Sequence, residues 1–155
     1  MKDEQSIVGT YEVVKTLAFI DGDFKLFSKK EVVANLDKKK AAGEIDEHDY
    51  DQSLLAFGRV IFTADGKVEC WSPVLPSMAS KVEAAVAAGK IRPPKDGHFF
   101  VEDYDWKLEN GVYSYDTRQQ RETFGEKQSS WDALTPNSEG LIPFGSGSML
   151  LKKIM

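Results

Sequence analysis

Residues 99–124 read FFVEDYDWKLENGVYSYDTRQQRETF, and the Asn110-Gly111 pair near their middle decides the fold. A two-residue type I′ turn needs positive φ at both positions, which asparagine and glycine adopt at little cost. With those two residues as the loop, Glu109 faces Val112, Leu108 faces Tyr113, Trp106 faces Tyr115 and Tyr104 faces Thr117. One side of the ribbon then carries Tyr104, Trp106, Leu108, Tyr113 and Tyr115. The other carries Asp103, Asp105, Lys107, Ser114, Asp116 and Arg118. A slip of one residue scrambles both sides, so a single register sorts the whole stretch. This is half-buried antiparallel sheet with one wet face.

Working outward, RVIFTADGKVECW (59–71) places Asp65-Gly66 between two alternating runs, a second hairpin. A three-residue loop with a glycine bulge gathers Val60, Phe62, Val68 and Cys70 on one side, a better sorting than a two-residue turn gives. Between the hairpins, the alanine-rich stretch 77–89 starts on Ser77 and stops on Gly89, a short helical insertion. IRPPKDG (91–97) follows as a rigid connector, because two successive prolines neither continue a helix nor sit mid-sheet.

Earlier in the chain, SIVGTYEVVKTLAFI (6–20) reads as one long strand whose apolar side is Ile7, Gly9, Tyr11, Val13 and Lys15. Gly9 inside it implies a bend or the close approach of another backbone. Residues 28–57 switch to helical period. Ser28 with Glu31 forms a capping box, Val32, Val33 and Leu36 recur at helical spacing, and Gly43 follows the Lys38–Lys40 run as a stop. Asp46 caps a second short helix with Tyr50, Leu54 and Phe57 as its apolar positions. Together they make a helical hairpin inserted after the first strand. Beyond the central hairpin come a strand around Trp131, the turn-rich PNSEG, and a last strand in GSGSMLLKKIM that bends on its glycines.

At 155 residues, with 41% hydrophobic and 29% charged content, the chain reads as one soluble domain spanning 1–155. A net charge of −5, with no basic run beyond Lys38–Lys40, argues against non-specific nucleic-acid binding. The lone Cys70 makes no internal disulfide, and no Cys/His cluster has zinc spacing. Neither a signal-peptide core nor a membrane span is visible, so cytoplasmic residence is the expectation; a secreted mature chain without its leader reads the same way.

Strands in hairpin order, with helices confined to two insertions, exclude a parallel βαβ sheet. The expected fold is mainly β: an antiparallel up-and-down barrel of about eight to ten strands, a size that holds one small ligand. IVGTYEVVKT, FTADGKVECW, DWKLENGVYSYD and MLLKKI resemble the opening strand, meander hairpins and closing strand of the lipocalin and fatty-acid-binding families, together called calycins. The helical pair is similar in placement to the helix-turn-helix lid of fatty-acid-binding proteins. Two departures stand out: the insertion at 77–89 has no counterpart in simple barrels, and Tyr11 stands where lipocalins usually carry tryptophan.

The resemblance implies a small hydrophobic or aromatic ligand in the lumen. The lining set is then Tyr104, Trp106, Leu108, Tyr113 and Tyr115, with Phe62 from the neighbouring hairpin, unless these side chains simply fill the core. Farther along the same side come Glu102, Thr117, Gln119 and Arg121. A regular strand points Arg121 inward, as the interior arginine of fatty-acid-binding proteins; a strand that has reached the rim leaves it in solvent. Asp103 and Arg118 read as an exposed cross-strand ion pair. His98 is a surface histidine or, near the barrel mouth, a general base or haem ligand; Asp46–Asp51 is the solvated start of a helix. Neither a nucleophile motif nor a phosphate-cradling loop is present, and Gly145-Ser146-Gly147 lacks a triad. No catalytic residue, metal ligand or cofactor is therefore assigned. Two alternatives stand beside ligand binding: a barrel enzyme using Tyr113, Tyr115 and Glu102 on an aromatic or acyl substrate, and a filled barrel whose helices dock a protein partner or a second copy.

Overall fold

The computed structural model describes residues 6–155. Asn110 and Gly111 take φ of 52° and 77°, closing the central hairpin between β5 (His98–Glu109) and β6 (Val112–Asp116). Trp106 pairs with Tyr115, Leu108 with Tyr113 and Glu109 with Val112, the register that side-chain sorting demands. The ladder ends at Trp106 and Tyr115, two pairs short of Tyr104 and Thr117. Arg118 turns the chain away at φ 60°, and the Thr117 N–H donates to the Ser130 carbonyl at 2.9 Å.

Eight strands follow one another in the order β10 (Ile142–Phe144), β11 (Met149–Lys153), β1 (Gly9–Ile20), β3 (Arg59–Phe62), β4 (Lys67–Pro73), β5, β6 and β9 (Trp131–Ala133). A ninth strand, β2 (Asp23–Ser28), pairs with β1, and β7 (Arg121–Thr123) with β8 (Glu126–Gln128) forms a separate ribbon. Every ladder is antiparallel.

The sheet curls into a half-barrel, which corrects the expectation of a closed one. Its two ends, β9 and β10, have three residues each, and Pro143 deprives β10 of an N–H; no ladder joins them among the described residues. Side chains bridge the gap instead. Tyr115 stacks on Phe144 with centroids 4.5 Å apart, and the Gly145 N–H donates to the Tyr115 hydroxyl at 3.1 Å.

The β3–β4 hairpin has its three-residue loop: Thr63 N–H donates to the Lys67 carbonyl at 2.8 Å and Gly66 takes φ 93°. Phe62 pairs with Val68 and Val60 with Cys70. Gly9 admits a close backbone, since a Cβ there would lie 2.5 Å from the Met155 carbonyl oxygen.

Two expectations for the N-terminal half need correcting. A bulge between Val13 and Lys15 flips the pleat of β1, so Tyr11 and Val13 are buried but Thr16 follows them inward instead of Lys15. The helical hairpin enters after the second strand, not the first, because Asp21 and Gly22 (φ 51° and 83°) turn the chain into β2. That Asp-Gly pair is itself a hairpin signal.

Helix α1 (Lys29–Ala41) begins on the Ser28–Glu31 capping box, with reciprocal bonds of 3.0 and 3.2 Å, and buries Val32 and Leu36. Helix α2 (Glu47–Ser53) starts on Asp46. A 3₁₀ turn at Pro76–Met78 leads into α3 (Ala79–Ala87), which buries Val82. The acidic run at α2 is not wholly solvated, since Asp51 is only 2% exposed and accepts the Ser77 N–H at 2.9 Å, tying α2 to the start of the second insertion. Among the described residues no helix is long and apolar enough to cross a membrane.

Candidate functional site

The inner face of the curl holds an open cavity of about 370 Å³. Alternation along the central strands builds it. Val13 from β1, Val60 from β3, Cys70 from β4, and Tyr104 and Tyr115 from the central hairpin all reach its wall, with Phe144 and Met149 closing the far side. Leu55 and Ala56, from the link between α2 and β3, also line it. The adjoining Gly58 is required by geometry, because a Cβ there would lie 2.0 Å from the Trp71 carbonyl oxygen.

A bulge in β5 shapes one rim. Cys70 pairs with Glu102 and Trp71 with Phe100, leaving Val101 as the extra residue. Val101 is exposed beside Glu102, Thr117 and Gln119, and these residues grade the apolar wall into a polar mouth. Burial pushes the Tyr104 phenol above its ordinary range, and the Glu102 carboxylate beside it adds to that. The Arg118 guanidinium lies 4.6 Å from the Tyr104 ring centroid. Burial likewise pushes the Cys70 thiol up to about 12, so it stays protonated and is a wall group rather than a nucleophile.

The residues expected at the lumen divide into two groups. Tyr104, Tyr115 and Glu102 border the cavity. Trp106 and Tyr113 pack against the core farther toward the turn, rings 5.8 Å apart, with the Trp106 indole N–H donating to the Thr63 carbonyl at 2.9 Å. Phe62 is core, 1% exposed and edge-on to Tyr11 at 5.2 Å. Leu108 is 54% exposed, since the hairpin tip runs past the core, and it does not border this cavity. Arg121 lies in the separate β7–β8 ribbon, and its side chain is outside the described residues.

Glu102 is exposed at the mouth, which removes the desolvated carboxylate that the enzyme alternative needed. The expected Asp103–Arg118 ion pair is replaced by other partners. Arg118 donates to the Asp103 backbone carbonyl, while the Asp103 carboxylate faces Arg92 at 3.8 Å. Arg92 also reaches Glu69 at 3.5 Å and stacks over Phe100 at 3.7 Å. His98 borders a different, smaller recess with Arg59 and Asp96, its Nδ1 2.8 Å from the Asp96 carbonyl oxygen. Among the described residues no three His, Cys, Asp or Glu side chains converge as a metal site.

Phe144 and Met149 were not among the expected lining residues. The Ile-Pro-Phe strand that carries Phe144 has too short a run for alternation to reveal it. Val60 and Cys70 were already sorted onto one side with Phe62, a signal that pointed to the wall without distinguishing wall from core. Comparison with protein-family models, with curated proteins and with solved structures finds no match, so the calycin resemblance rests on its motifs alone.

Proposed function

We propose that this protein binds one small, neutral, apolar or aromatic molecule in the cavity of the half-barrel. The observation that carries this reading is the cavity itself: about 370 Å³, walled by Val13, Val60, Phe144 and Met149, with phenols and a polar mouth at one end. Small-molecule sites combine an apolar concave wall with a few placed polar groups in this way. Glu102 and Arg59 both border the cavity, one charge of each sign, so its lining carries no net charge and suits an uncharged occupant.

Titration with the neutral fluorophore N-phenyl-1-naphthylamine tests it. Saturable enhancement at one site per chain is expected. Met149→Trp, which fills a half-buried wall position, should weaken binding at least about tenfold, a loss of about 1.4 kcal/mol. Phe24→Ser, on a remote exposed strand, should leave it unchanged. Unsaturable binding, or binding lost in Phe24→Ser and kept in Met149→Trp, would overturn the reading.

A further inference from the structure

The end of the first hairpin packs Ala18 and Ile20 against the core and leaves its other side unused by core or cavity. On one face Leu17 lies opposite Leu26 and Phe19 opposite Phe24. Both phenylalanines are 66% exposed and Leu17 is 41% exposed, a concentration of apolar surface on a two-stranded arm.

The arm also has an open edge. The Leu17 N–H donates to the Ser148 carbonyl at 2.8 Å, so Leu17 and Phe19 direct their backbone groups toward the β11 side. Thr16, Ala18 and Ile20 therefore bond to β2, occupying its Phe27, Lys25 and Asp23. The N–H and C=O groups of Phe24 and Leu26 consequently point outward, and among the described residues β2 pairs with β1 alone. A proline-free edge of six residues flanked by exposed rings is prone to pair with another strand.

We propose that a second copy of this chain docks there, β2 against β2, antiparallel about a two-fold axis. Charge selects the register. With Leu26 opposite the partner's Leu26, Asp23 runs into the first turn of the partner's α1. With Phe24 opposite the partner's Leu26, Lys25 meets the partner's Lys25 in the close, non-hydrogen-bonded position, where like charges repel. With Phe24 opposite the partner's Phe24, Asp23 meets the partner's Lys25, and by symmetry Lys25 meets the partner's Asp23. In that register Phe19, Phe24 and their two symmetry mates form one continuous row of rings, and the surface is self-complementary as a two-fold interface requires.

Sedimentation equilibrium across a concentration series tests the proposal, with circular dichroism confirming that each variant folds. The wild-type chain should dimerise. Asp23→Lys and Lys25→Asp each place like charges opposite one another and should weaken the dimer at least about tenfold. An equimolar mixture of the two single variants should recover a dimer, because each then supplies the sign the other lacks. The double variant, Asp23→Lys with Lys25→Asp, should also dimerise on its own. A wild-type chain that stays monomeric at about 0.5 mM would overturn the proposal. So would single variants that dimerise as tightly as wild type, or a mixture that fails to recover.

Discussion

Cys70 and Tyr11 show how burial, rather than a special partner, sets the chemistry of single residues in this fold. Burial pushes the Cys70 thiol up to about 12. Tyr11 is also pushed up to about 12, first by burial and then by the nearby Tyr113, while its hydroxyl donates to the Ile7 carbonyl at 2.8 Å. A folded-state value above the unfolded one means that the unfolded chain loses its proton first as pH rises. The stability associated with these groups is therefore complete below pH about 9 and falls as pH climbs toward about 12. Thermal melts between pH 8 and about 12 should show a steady decline in Tm, shallower in a Cys70→Ala, Tyr11→Phe double variant. An equal slope in both proteins would remove the attribution. Cys70 should also resist iodoacetamide at pH 8 until the chain is unfolded, since only the thiolate reacts.

At the scale of elements, alternation and turn chemistry reached a long way. The registers of the β5–β6 and β3–β4 hairpins follow from Asn110-Gly111 and from the sorting of Val60, Phe62, Val68 and Cys70, because one face of each is buried. The Ser28 and Asp46 caps were equally legible. Strand β2 was not, although Asp21-Gly22 marks its turn, because its outer face carries Phe24 and Leu26 where an ordinary hairpin would be polar. The bulge after Val13 was hidden for a different reason: Val13 and Val14 in succession fit either pleat, and Lys15 alone marks the shift.

Asp51 is the clearest case of an element-level contact invisible in a local pattern. Its acidic neighbours read as a solvated helix start, but its carboxylate is carried under the Pro76–Met78 turn to accept the Ser77 N–H. Asp51→Ala should cost about 1 kcal/mol, by stranding a half-buried donor, whereas Asp51→Asn retains an acceptor and should cost less. Urea unfolding midpoints would check both, and equal losses would show that the contact is not the cause.

For the whole molecule, the hairpin order of strands was readable but closure was not. Closure depends on whether β9 pairs with β10, and three-residue strands, one carrying Pro143, give too little ladder to decide it from local pattern. The same limit divided the candidate site. Alternation placed five residues on one side of the central hairpin, yet position along the ribbon determines which of them meets the cavity. Tyr104 and Tyr115 reach it, Trp106 and Tyr113 pack nearer the turn, and Leu108 overshoots the core. The wall opposite, Phe144 and Met149, comes from strands brought there by long-range pairing with β1, through β11.

The binding proposal is most directly tested by titrating isotopically labelled protein with N-phenyl-1-naphthylamine and following backbone and methyl resonances. Saturating shifts confined to Val13, Val60, Tyr104, Tyr115, Phe144, Met149 and their immediate neighbours are the expected result. Shifts centred instead on Leu17, Phe19 and Phe24, or no shifts at saturating probe, would contradict a ligand in the half-barrel.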